Sequence, residues 1–81
     1  MFRRKTVQEA LENSARKSLM AFLRGKKTLN WIIGIIRSSG VRGRELEEIF
    51  KQLQGYGSQE RLQQAHEQCH KEGWLCELPP V

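Results

Sequence analysis

Eighty-one residues with 38% apolar content and six aromatic side chains make one small domain, near the lower size limit for folding without a staple or partner. The longest apolar cluster, Trp31 to Ile36, is far short of the about 18 residues of a membrane span, so no membrane partner is expected. The net charge of +5 is lopsided, with eight Lys/Arg against two Glu in residues 1–27, four against three in 28–54, and two against four in 55–81. An acidic partner would therefore meet the N-terminal third.

Residues 1–5 read as a mobile basic arm carrying Arg3, Arg4 and Lys5, ahead of a single helical domain over 6–81. The segment after the arm is polar and amphipathic, unlike the apolar stretch of a secretion signal. Thr6 and Glu9 have the spacing of a capping box, and the helix they start should reach about Leu23. Its apolar face holds Val7, Leu11, Ala15, Leu19, Phe22 and Leu23; Glu9, Asn13, Arg16, Lys17 and Arg24 fall opposite. Gly25 ends it, and Arg24, Lys26 and Lys27 suit the negative end of the helix dipole.

Thr28 can cap a second helix, Leu29 to about Ser38. Trp31, Ile35, Ile32, Ile36, Leu29 and Ile33 cover half of its circumference or more, leaving Asn30, Gly34 and Arg37 as a polar stripe. Such a helix belongs at the centre of the domain. Its β-branched content also suits a buried strand, but its length, the threonine cap and the Ser38-Ser39-Gly40 stop decide for helix.

After Val41 to Gly43 a third helix spans 44–54, with Leu46, Ile49, Phe50 and Leu53 on one face and Glu45, Glu47 and Glu48 near its positive end. Gly55-Tyr56-Gly57 breaks it, leaving Tyr56 as an exposed turn aromatic. Ser58 caps a fourth helix over 59–72, and Gly73 stops it. Trp74 to Leu78 then has extended character until Pro79 and Pro80 end it.

From Thr28 onward this order of elements resembles the winged helix-turn-helix family. Residues 29–38, 44–54 and 59–72 correspond to its three helices, the last being the recognition helix, and Lys71 to Leu78 resembles the passage into the wing. The resemblance covers residues 28–78, about two-thirds of the chain. It implies a mainly α fold: an N-terminal helix on a winged-helix-like three-helix core, closed by one short C-terminal strand. It also implies DNA binding and transcription regulation.

Two features depart from the family. Only one wing strand is in view, so a full two-stranded wing is missing or is completed by residues 1–5 or another subunit. With Leu62, Ala65 and Cys69 facing inward, the outward face of helix 59–72 centres on Glu60 and Glu67, bordered by Arg61, Gln63, Gln64, His70 and Lys71. Glutamine can read adenine, but affinity rests on cations meeting phosphates, and two central glutamates oppose deep insertion into a major groove.

His66, Cys69, His70 and Cys76 are zinc-ligand types within eleven residues, yet no usual structural-zinc spacing connects them. The simpler reading makes Cys69 a core residue, His66 its border, His70 solvated, and Cys76 part of the strand. No metal or other cofactor is expected. Without a nucleophile–base pattern, a phosphate loop or paired inward carboxylates, the chain reads as non-enzymatic. Its two cysteines read as reduced thiols of a cytoplasmic protein.

The remaining signal is basic. Arg3, Arg4, Lys5, Arg16, Lys17, Arg24, Lys26 and Lys27 bracket a helix of roughly 25–30 Å and can contact phosphates along it; Arg61, Gln63 and Gln64 add limited base reading. These residues predict a nucleic-acid-binding regulator or architectural protein, with duplex DNA as partner. The competing expectation is a protein-interaction module that binds an acidic protein or forms a homodimer through the apolar arc around Trp31.

Overall fold

The computed structural model describes residues 7–75. They form four helices, α1 (Val7–Leu23), α2 (Leu29–Ser39), α3 (Gly43–Gln52) and α4 (Gln59–Lys71), and no strand occurs among the described residues. The class is mainly α. The basic arm and the Thr6 cap lie outside the described residues.

α1 buries Ala15, Ser18, Leu19, Phe22 and Leu23, but the predicted apolar face does not run its whole length. Val7 is 76% exposed and Leu11 only half-buried. The reason is geometric. The short connection 24–28 folds α2 back on α1, and α2 has 11 residues against 17, about 9 Å less at 1.5 Å per residue. The first turn of α1 overhangs its partner.

The Thr28 hydroxyl caps α2 by accepting the Trp31 amide at 3.1 Å. Ile32, Ile33 and Ile36 are buried, each contributing about 1.5–3 kcal/mol relative to exposure. The buried arc is narrower than the residue pattern suggests: Trp31 is 38% exposed and Ile35 half-buried. α2 packs on α1 and α4, which leaves one flank open.

α3 buries the predicted Leu46, Ile49 and Phe50, with Leu53 just beyond. It starts at Gly43 and ends at Gln52, slightly earlier than expected at both ends. No side chain caps its N-terminus; the Gly43 amide donates instead to the Trp74 carbonyl at 2.6 Å.

On α4, Ser58 accepts the Arg61 amide at 3.2 Å, and Leu62, Ala65 and Cys69 face the core. Its C-terminus closes as a Schellman motif: Gly73 donates to the His70 carbonyl and Trp74 to the Cys69 carbonyl, each at 3.0 Å. Gly73 has φ +82°, which an L side chain adopts only with strain. The motif turns Trp74 and Leu75 into the core, where both are buried.

The expected strand over 74–78 is not formed by Trp74 and Leu75. The Trp74 carbonyl caps a helix instead of joining a sheet, and residues 76–78 lie outside the described residues. Cys69 is fully buried, and burial pushes its thiol up from 9.0 to about 12, against a lowering influence from Arg42 and with a smaller raising one from Glu72.

Candidate nucleic-acid interface

Three helix ends meet at one place on the surface: the C-terminus of α1, the N-terminus of α2 and the N-terminus of α4. Close backbone packing holds them together. The Ser58 amide donates to the Leu23 carbonyl at 3.1 Å. At Gly57, with φ +63°, a Cβ would lie 2.8 Å from the Leu23 oxygen and 2.9 Å from its Cβ. Only glycine fits this turn without displacing α1.

The junction opens as a groove of about 570 Å³, lined by Phe22, Gly25, Lys27, Thr28 and Leu29 on one wall and Ser58, Glu60, Arg61 and Gln64 on the other. Lys27, Arg61 and Gln64 therefore share one site, although Lys27 stands 34 residues or more before the other two in sequence. Arg24 stands beside it, donating from Nη1 to the Tyr56 hydroxyl at 3.1 Å. Arg61 stacks 4.9 Å from the Phe22 ring centroid and donates to the Phe22 carbonyl at 3.4 Å. Lys27 Nζ lies 4.9 Å from the centroid of Trp31. Tyr56 is half-buried against the core rather than freely exposed.

Electrostatically the groove is net positive. Arg24, Lys26, Lys27 and Arg61 form no ion pair among the described residues. The first turns of α2 and α4 add the positive ends of two helix dipoles, and the capping hydroxyls leave other first-turn amides without an intrahelical acceptor. The negative end of α1 and the exposed Glu60 oppose this, and Glu60 is the one carboxylate in the lining.

No family model, curated protein or solved structure matches this chain.

The other predicted contacts scatter. Lys26 is exposed in the same connection and Lys17 is exposed on α1. Arg16 is engaged by neighbouring side chains, donating to Asn13 Oδ1 and, at 3.0 Å, to Gln52 Oε1 at the end of α3. Gln63 lies on a different groove of about 370 Å³ between α3 and α4, with Phe50, Gln54, Gln59, Leu62 and His66. Arg3, Arg4 and Lys5 lie outside the described residues.

The histidine–cysteine set does not converge. His66 Nε2 sits 3.5 Å from Glu47 Oε2, its ring edge-on to Phe50 at 5.1 Å, while Cys69 points into the core. His70 is half-buried rather than solvated. No three His, Cys, Asp or Glu side chains among the described residues are placed to hold a metal ion, and Cys76 lies outside them. No described helix is long and apolar enough to cross a membrane.

Sequence reasoning left Trp31 out of the site, because Lys27 precedes the Thr28 cap and its approach to the ring depends on how the 24–28 connection enters α2. Phe22 as the seat of Arg61, and Tyr56 as the partner of Arg24, carry no sequence signal because each joins two distant elements.

Proposed function

We propose that this chain binds nucleic acid non-catalytically, gripping phosphates in the groove between residues 24–29 and the first turn of α4. The observation that supports this reading is the gathering of Arg24, Lys27 and Arg61, none of them ion-paired among the described residues, around two helix N-termini. Helix N-termini with adjacent cations suit phosphate oxygens. Within this reading α2, α3 and α4 serve as a winged-helix-like core with α4 as its recognition helix. Glu60 and Glu67, both exposed on α4, hold α4 at the backbone rather than deep in a major groove. Arg3, Arg4, Lys5, Lys17 and Lys26 extend the phosphate contacts, and Gln64 stands nearest to any base.

Titration with a short duplex DNA at low and raised salt tests the proposal. Binding should weaken with a log–log salt slope of about −0.9 per phosphate contact. The triple change R24A/K27A/R61A should flatten that slope. Absence of binding to both duplex and single-stranded DNA at low salt would overturn it.

A second reading, a protein-interaction surface, rests on the exposure of Val7 and Trp31. Light scattering that shows a stable dimer at micromolar concentration would favour it.

A further inference from the structure

Trp31 is the one large aromatic side chain among the described residues that the fold leaves substantially in water, at 38% exposure. The other tryptophan, Trp74, is buried and stacked beneath Arg42 at 4.4 Å. Nothing in the core requires an indole at position 31, since Ile32, Ile33 and Ile36 supply the buried face of α2. Its backbone is anchored, the amide donating to the Thr28 hydroxyl at 3.1 Å in the first helical turn. Its surroundings are cationic: Lys27 lines the groove and places its ammonium 4.9 Å from the ring centroid. One side chain thus connects the groove to an exposed π-surface.

We propose that Trp31 is a stacking platform for an unpaired nucleobase, with Lys27 moving from the ring to the phosphate of the same nucleotide. This rests on the phosphate-binding reading above and specifies its ligand class: nucleic acid with single-stranded character. A paired base inside a duplex keeps both faces stacked on its neighbours and cannot use the platform. An unpaired base has a free face, and aromatic–base stacking beside backbone cations is the usual basis of single-strand binding. Charge and continuity argue for this occupant. An apolar protein segment would gain from the indole but would meet the Lys27 ammonium over it, with Arg61 in the same groove as Lys27, whereas a nucleotide satisfies ring and cations together.

The test uses the full chain with three DNA ligands of equal phosphate count: a blunt duplex, a duplex with a single-stranded tail, and a single strand. The tailed and single-stranded ligands should bind on the order of tenfold more tightly than the blunt duplex, and Trp31→Ala should abolish that preference. Trp31→Phe, which keeps an aromatic face, should retain most of it. Tryptophan emission should be quenched by the single strand in the wild type and left unchanged in Trp31→Ala, where only Trp74 emits. Equal binding of all three ligands with unchanged Trp31 emission overturns the platform while leaving the phosphate groove standing. No binding of any ligand at low salt overturns both.

Discussion

At the C-terminal end of α2, Arg42 donates to the carbonyls of Ile36, Val41 and Arg37 at 2.8 to 3.3 Å, and Arg37 pairs with Glu72 at 3.4 Å. Both guanidinium groups also lie over the Trp74 ring, at 4.4 and 5.6 Å. At the N-terminal end, Arg24, Lys27 and Arg61 rest against a hydroxyl, aromatic rings and one carbonyl, and no carboxylate pairs with them among the described residues. The two ends have similar residue types, and each mixes helix N- and C-termini, but they differ in what the cations touch. Arg37 and Arg42 are satisfied by a carboxylate and by backbone carbonyls, and act as structural staples. Arg24, Lys27 and Arg61 keep charge that an anion would neutralise. Arginine content alone therefore says little about binding; the nearest carboxylate and carbonyls decide.

The contrast can be broken first at Trp74. Trp74→Ala removes the ring beneath Arg37 and Arg42 and should cost about 3–5 kcal/mol of stability in thermal or denaturant unfolding. The variant's folded fraction should still bind DNA at low salt. Loss of binding from a folded Trp74→Ala protein would mean that the two ends are not separable.

Gly57→Ala attacks the junction that assembles the other end. The added methyl meets the Leu23 carbonyl in a left-handed turn, so urea unfolding should show a loss of about 1–3 kcal/mol. An unchanged midpoint would show that α1 yields at this contact.

A paired comparison sharpens the division of labour. Arg42→Ala should lower stability by about 1–2 kcal/mol and leave the salt dependence of DNA binding alone. Arg61→Ala should cost under about 1 kcal/mol of stability and reduce the salt slope by about 0.9. The reverse pattern would refute the assignment of staples to one end and ligand contacts to the other.

An effect confined to high pH concerns Cys69, packed near Arg42 and Glu72. Its folded pKa of about 12 lies above the ordinary 9.0, so the folded state holds the thiol proton more tightly than the unfolded chain. The stability this contributes is fully present below pH 9 and declines as pH rises from 9 toward 12. Relative to Cys69→Ala, the wild type should therefore lose stability across that range in denaturant melts. Parallel curves would show that the thiol is not desolvated.

Much of the helical framework was legible because its signals are local. Thr28 and Ser58 cap the helices they were expected to cap, and Gly25, Gly40 and Gly73 all take positive φ at helix ends. The 3–4 spacing of Leu46, Ile49, Phe50 and Leu53 picks out a face that is buried. Failures occurred where a residue's environment depends on the length or position of another element. Val7 continues the apolar pattern of α1 but has no α2 beside it. Trp31 belongs to an apolar arc wider than its neighbours cover. Trp74 looks like the start of a strand, yet its carbonyl is taken by the Gly43 amide.

For the candidate site the division is sharper. The amino-acid sequence by itself determined which residues could carry positive charge, that the charge is concentrated toward the N-terminus, and where each helix lies to within one or two residues, because these depend on composition and on spacing within one turn. Only the tertiary structure decided which cations work together. It turned Arg16 toward Gln52, separated Gln63 from Gln64, and set Arg61 beside Lys27 by way of Gly57 against Leu23. Such groupings depend on contacts between residues more than thirty positions apart, and they arise when helices of unequal length pack on a shared core.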